Sequence, residues 1–434
     1  MMDTRQNTLH ISGGTRLTGS LKVNTAKNSV LVLMLGSLLS REKVILQDVP
    51  RLSDILVMVE LLRHFGAIVE WQGSDLHIRA DSITTCEAPY HLVSKMRASF
   101  VALGALMGRC NSARMPMPGG CAFGPRPVDR HIKAFKAIGA TILEEEGDFV
   151  VSLEEPLAGR VMFEAPTVGG TQNIILASVL GQGEVVIENA ALEPEIIDLA
   201  TMLTQMGADI SGAGTSVITI KGVERLRGIT YRAIPDRIEA GTLMLAVAAT
   251  RGSVVFEEVN LKQLQAVIAK LNEAGVQVLP LGENRLRVDA SGQLKPVSVD
   301  ATEYPGIPTD LQAPFGAFLA TIPGTSTVAD HVYFGHRFAH VEPLKDLGAE
   351  LELDGNKLTI DGGQRHIGTA MHAADIRAGG ALIVAALAAE GKSVITGLEY
   401  IERGYAQITE RLRSLGAVIH RESVVEVVTG TYGD

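Results

Sequence analysis

Six times along this chain a helical pattern stops at a glycine followed by a small residue. The stops are Phe65-Gly66-Ala67, Ile138-Gly139-Ala140, Met206-Gly207-Ala208, Ala274-Gly275-Val276, Leu347-Gly348-Ala349 and Leu415-Gly416-Ala417. A helix end favours glycine because the left-handed backbone there penalises a Cβ, and each stop follows an amphipathic, leucine-like period. Successive glycines lie 73, 68, 68, 73 and 68 residues apart, so each of the first three has a counterpart 209 residues further on. The chain therefore reads as a duplicated domain, each copy made of three units of about 70 residues.

The units share a grammar. After each stop, apolar residues alternate around a polar turn, as in 67–78 with Gln72-Gly73-Ser74 and 349–360 with Asp354-Gly355-Asn356, which predicts β-hairpins. Each unit also contains a stretch that is apolar nearly all round: 28–40, 98–108, 171–180, 240–250, 311–320 and 378–389. Helices without a polar face belong in an interior. The expected fold class is α/β, a prism of buried helices surrounded by sheets and outer helices rather than a doubly wound sheet. Lys27 shifted by 209 lands on Asp236, which sets the expected domains at 23–231 and at 1–22 plus 232–434. The strand-like Leu9-His10-Ile11 is expected to pair with the second domain, so that the chain crosses twice and leaves a hinged cleft for an active site.

Charge and composition narrow the function. Thirty-nine basic residues against forty-nine acidic ones give a net charge of −10 over 434 residues, a poor footprint for a nucleic-acid partner. The uncharged stretch 311–329 contains Pro314, Gly316, Pro323 and Gly324, which predicts a short buried helix and a turn rather than a membrane span. Cys86, Cys110 and Cys121 are an odd set, and the first eleven residues hold no apolar leader. Both features lead us to expect free thiols, a reducing compartment and a cytoplasmic location.

Two features carry chemistry. Arg97, Thr171, Arg237, Asp310 and Arg377 fall 29 to 35 residues after a glycine stop, and Lys27-Asn28 opens the first interior stretch. They stand where helix N-termini would attract a phosphate or carboxylate, or where caps and ion pairs would sit. The second feature is a loop, residues 117–128 with the following Asp129-Arg130-His131. Three glycines and three prolines between Pro118 and Pro127 keep Cys121 out of regular structure, five residues from Arg126. A thiol so placed suits an acid or a nucleophile better than a core position. Cys86 and Cys110 have no such setting and are expected to be structural.

At these residues the chain resembles the UDP-N-acetylglucosamine 1-carboxyvinyltransferases, a family of enolpyruvyl transferases. The resemblance covers essentially the whole chain. It rests on Ala26-Lys27-Asn28, Lys95-Met96-Arg97-Ala98-Ser99, the loop 118–131, Glu188-Asn189-Ala190-Ala191, Glu193-Pro194-Glu195, Pro235-Asp236-Arg237-Ile238-Glu239, Pro308-Thr309-Asp310, Arg337-Phe338, Asp375-Ile376-Arg377-Ala378 and Glu402-Arg403-Gly404-Tyr405. It implies the two-domain inside-out α/β barrel and transfer of the enolpyruvyl group of phosphoenolpyruvate to the 3-hydroxyl of UDP-N-acetylglucosamine, with release of phosphate. Neither metal nor other cofactor is implied. Cys121 would be the proton donor, Asp310 the base, and Lys27 and Arg403 further catalytic groups. Lys27, Asn28, Arg126, Arg337, Asp375, Arg377 and Arg403 would hold phosphoenolpyruvate. Arg97, Arg126, Pro127, Val128, Asp129, Arg130, Thr167, Val168, Gly169, Asp310 and Tyr333 would meet the nucleotide sugar. Glu188, Asn189 and Asp236 match turns of structural role. In this family the epoxide fosfomycin alkylates the loop cysteine, so Cys121 is its expected target.

Thr25, Pro125, Arg130, Leu192, Pro314, Gly335 and His336 depart from the family pattern, and the departures bear most on nucleotide-sugar affinity. Three rival readings follow. The shikimate-pathway enolpyruvyl transferase shares the fold but not the Gly-Gly-Cys loop. A sliding clamp would need basic interior helices, which are absent here. A weakly catalytic paralogue that binds the nucleotide sugar is opposed by Cys121 and Asp310. His331, His336 and His340 have no spacing typical of metal ligands. The expected assembly is a monomer or weak homo-oligomer that uses only small-molecule substrates.

Overall fold

The computed structural model describes residues 5–118, 128–334 and 337–425. Cys121, Pro125, Arg126, Pro127, Gly335 and His336 lie outside them. The chain divides into two units, one of residues 1–23, 237–302 and 306–434, the other of 24–236 and 303–305.

All six glycine stops have positive φ, between +90° and +112°. Five of the six stops are followed by a hairpin, and those at 67–78 and 349–360 have two-residue connections; after Gly416 the described residues instead form one strand, Val418–Val425, paired with Arg5–Ser12. Ile68–Gln72 pairs with Asp75–Arg79, and Glu350–Asp354 with Lys357–Gly362. Their turn glycines, Gly73 and Gly355, have φ of +63° and +58°, which such turns demand.

In the first unit three interior helices, Arg237–Ala249, Gln312–Leu319 and Ile376–Ala388, pack on one another. Every residue of Arg237–Ala249 is buried, as expected of a helix with no polar face. Three four-stranded sheets belong to this unit. One runs Ala370–His372, Lys392–Thr396, Arg5–Ser12, Val418–Val425, so the strand containing Leu9 to Ile11 is central and antiparallel to both neighbours. In the second unit the interior helices are Lys27–Ser37, Ala102–Cys110 and Val168–Ser178. They belong with two four-stranded sheets and one of three strands. Among the described residues the sheets stay open, so each unit is a prism of separate sheets about a helical interior.

The unit grammar lacked one element. A short strand before an interior helix joins the sheet in parallel, as Gly159–Met162 joins Glu184–Glu188 and Ser298–Ala301 joins Gly324–Asp330. Three to five residues give too short an alternation to register as a strand. The segment after Gln312–Leu319 is likewise a turn followed by the strand Gly324–Asp330.

The expectation of free thiols is overturned at two positions. Cys86 and Cys110 form a disulfide, with Cα atoms 6.7 Å apart across 24 residues of sequence. Cys110 ends an interior helix, and Glu87 bridges to Arg114 of the following strand. Proximity of this kind is invisible in the spacing alone. Closing a loop of this length stabilises by about 3 kcal/mol in the chain-entropy model. Thiol titration of the denatured chain should find one free cysteine before reduction and three after. Cys86→Ser/Cys110→Ser should unfold at distinctly lower denaturant. Three reactive thiols in the unreduced protein would contradict the bond.

Candidate active site

Candidate side chains gather in both units, and each group is set by helix starts. In the unit that contains Asp310, this residue lies in a 3-10 turn, Thr309–Leu311, that leads into an interior helix. Its Oδ2 accepts from Arg377 Nη2 at 2.5 Å, and its Oδ1 accepts from Arg337 Nη1. The side chains of Arg337 and Arg377 are 8% and 10% exposed and that of Asp310 18%, so two guanidinium groups compensate one carboxylate away from bulk water. Arg337 also lies 4.3 Å from the ring centre of Tyr333, a cation–π contact. Asp375 caps the helix Ile376–Ala388, accepting from the backbone N–H of Arg377 at 2.7 Å and of Ala378 at 3.0 Å. Its carboxylate thereby aims the helix start that carries Arg377. Arg403 is half-buried on the turn after the short helix Leu398–Ile401. Two residues on, the buried Tyr405 bonds through its hydroxyl to Thr242 at 3.1 Å and to Arg377, and burial pushes that phenol's pKa up. Arg337, Arg377 and Tyr333 thus gather around Asp310, and Tyr405 links the Arg403 turn to them.

The other unit holds two clusters. Lys27 opens the helix Lys27–Ser37, with its ammonium 3.0 Å from Asp54 and both side chains under one-tenth exposed. Its backbone N–H donates to Asp236 at 3.2 Å, across the same 209 residues as the repeat. Asn28 beside it is exposed. The second cluster centres on His131. This ring is buried within hydrogen-bond distance of Asn173, Nδ1 to Nδ2 at 2.7 Å, and burial together with the nearby Arg97 charge pushes its pKa down to about 3. A Cβ on Gly169 would lie 3.1 Å from the His131 ring, which explains glycine there by close approach. Thr167 caps the helix Val168–Ser178 through its hydroxyl, bonded to Gly170 N–H at 3.3 Å. Val128 is buried, and Asp129 and Arg130 are exposed at the start of the helix Asp129–Ala137. His131 therefore ties the Arg97, Val128–Arg130 and Thr167–Gly169 segments together. Thr171, expected at a helix start, is instead three residues inside, because Thr167 begins the helix earlier.

Sequence reasoning missed the partners. Asp54 and Asn173 lie in no motif, His131 and Tyr405 lie in motifs that do not say what they contact, and only the fold brings the four to Lys27, Arg97 and Arg377. Several departures from the family pattern are absorbed locally. Thr25 donates its hydroxyl to the Asp48 carbonyl at 2.6 Å, and Pro314 sits in the first turn of Gln312–Leu319, where no helical N–H is lost. His331 contacts Asp300 at 3.1 Å on the surface. His340 is fully buried with neither ring nitrogen hydrogen-bonded among the described residues, and burial pushes its pKa down to about 3.

The fold is that of solved enolpyruvyl transferases. The crystal structure of the enolpyruvyl transferase NikO from Streptomyces tendae matches with a TM-score of 0.86 at 24% identity, covering 97% of this chain and 100% of that one. An EPSP synthase structure from Acinetobacter baumannii matches with a TM-score of 0.75 at 17% identity, covering 96% and 100%. The family model described as EPSP synthase (3-phosphoshikimate 1-carboxyvinyltransferase) matches residues 11–412. The UDP-N-acetylglucosamine 1-carboxyvinyltransferase of Thermus thermophilus is 51% identical over 418 residues, 96% of this chain and 97% of its own. The protein named UDP-N-acetylglucosamine 1-carboxyvinyltransferase 2 in Bacillus subtilis is 42% identical, with the same coverage. Within the enolpyruvyl transferases, the chain belongs to the UDP-N-acetylglucosamine 1-carboxyvinyltransferase family.

Proposed function

We propose that this protein transfers the enolpyruvyl group of phosphoenolpyruvate to the 3-hydroxyl of UDP-N-acetylglucosamine, the first committed step of peptidoglycan synthesis. The observation that carries the reading is the 51% identity to a protein of that name across nearly the whole of both chains. In the addition step the sugar oxygen bonds to C2 of phosphoenolpyruvate, Asp310 takes the hydroxyl proton, and Cys121 protonates C3. Loss of a C3 proton then expels phosphate and restores the double bond. Lys27, Arg126, Arg337, Arg377 and Arg403 offset the phosphate and carboxylate charge, with Asn28 donating a hydrogen bond and Asp375 orienting Arg377. Arg97, Arg126 to Arg130, Thr167 to Gly169 and Tyr333 receive the nucleotide sugar. The location that goes with this reading is the cytoplasm, where a Cys86–Cys110 bond would be unusual, and the assembly is a monomer or weak homo-oligomer. No helix among the described residues is long and apolar enough to cross a membrane.

The test is phosphate release from phosphoenolpyruvate, with UDP-N-acetylglucosamine and separately with shikimate 3-phosphate. Release should require the nucleotide sugar and fall by about 10²-fold to 10⁴-fold in Cys121→Ser. Fosfomycin should add to a peptide containing Cys121 and to neither other cysteine. Saturable nucleotide-sugar binding without turnover would identify a sensor instead, and turnover with shikimate 3-phosphate would reassign the acceptor.

A further inference from the structure

Among the described residues, one cluster of ligating side chains outside these groups lies on the sheet that joins the first described strand to the last. Arg5–Ser12 and Val418–Val425 run antiparallel, with His10 directly opposite His420 and Thr8 opposite Glu422. Leu9 and Ile11 are 0% and 1% exposed, so the strand's alternation fixes His10 on the other face. The two imidazole rings stack with centroids 4.9 Å apart and planes 15° from parallel. Glu422 Oε2 lies 3.0 Å from His10 Nε2, and one ligand atom from each of the three residues falls within 4.8 Å of the others. Glu422 and His420 are exposed and His10 half-buried, so solvent reaches the cluster.

We propose that His10, His420 and Glu422 bind a divalent transition-metal ion, zinc or one of its first-row neighbours, and thereby staple the first strand to the last. Two imidazoles and a carboxylate suit such ions, whereas magnesium and calcium prefer all-oxygen shells. In a tetrahedral zinc site the ligand atoms lie about 3.3 Å apart, and rotations of exposed side chains close the difference. The backbone is already set, because cross-strand neighbours stand at the right separation whether or not an ion is bound. The His10 Nε2 that faces Glu422 and the Thr8 hydroxyl, 3.0 Å away, coordinates in its unprotonated form. Thr8 keeps the Glu422 carbonyl as an acceptor at 3.4 Å.

Untagged, chelator-stripped full-length protein, titrated with cobalt(II) and read by its visible ligand-field absorption, tests the site. The expected result is one saturable equivalent, displaced by zinc, with affinity lower by about tenfold or more in His420→Ala and Glu422→Gln. Zinc should raise the melting temperature and slow amide exchange of Val418–Val425 in the wild type but not in His420→Ala. Phosphate release without added metal should be the same in all three proteins. Equal cobalt affinity in wild type and His420→Ala would put the ion elsewhere, for instance on the Cys121 thiol, and overturn the proposal. So would the absence of saturable uptake by the wild type.

Discussion

Asp310→Ala should both abolish turnover and destabilise the fold, whereas Asp310→Asn should abolish turnover with a smaller loss of stability. Removing the carboxylate leaves Arg337 and Arg377, each about one-tenth exposed, without the anion that both contact. Breaking a buried charge arrangement from one side costs about 3–5 kcal/mol, because the remaining charges keep their desolvation penalty. Asn preserves the shape and one acceptor oxygen. As the proposed base, Asp310 contributes about 10²-fold to 10⁴-fold to the rate, and disordering two guanidinium groups adds to the loss in the Ala variant. Denaturant midpoints measured beside phosphate release separate the roles. Wild-type turnover in Asp310→Asn would remove the base assignment and leave Asp310 as an organiser of the two arginines.

The second large effect is on acid stability. His131 and His340 are buried, and burial sets both near a pKa of about 3, with Arg97 adding to the depression at His131. In the unfolded chain each would titrate near its ordinary value of 6.5. Between those values the unfolded state binds more protons than the folded one, so stability is complete above about pH 6.5 and falls as the pH drops toward 3. The slope is about 1.4 kcal/mol per pH unit for each histidine. Two pH units below the ordinary value, the pair therefore costs about 5 kcal/mol. Burial also lowers His366, which adds a smaller share. Urea midpoints from neutral to mildly acidic pH should fall steeply, and His340→Leu should remove close to one histidine's part of the slope. Leucine is suitable because neither ring nitrogen of His340 has a hydrogen-bond partner among the described residues. An unchanged slope in this variant would mean that other groups govern acid unfolding.

The local order of elements was legible because each signal is written in adjacent residues. Glycine at the six helix ends satisfies a backbone angle, and the all-apolar stretches announce helices with no solvent face. The 209-residue offset reappears as the contact between the Lys27 backbone and the Asp236 side chain. Lys27, Asp310, Arg337 and Arg377 could be singled out as charges at the starts of helices or in motif positions. Their partners could not. Asp54 and Asn173 are ordinary helix residues, and His131 and Tyr405, though inside family motifs, carry no sign of which side chains they meet.

By itself, the sequence determined the number of repeats, the interior identity of the six helices and the family, since these depend on periodicity and motif. Tertiary structure alone decided that Cys86 meets Cys110, that two arginines share Asp310, and that His10 faces His420. Those pairings join residues 24, 27, 67 and 410 positions apart. Contact across such separations depends on how helices and strands pack, which no local pattern encodes.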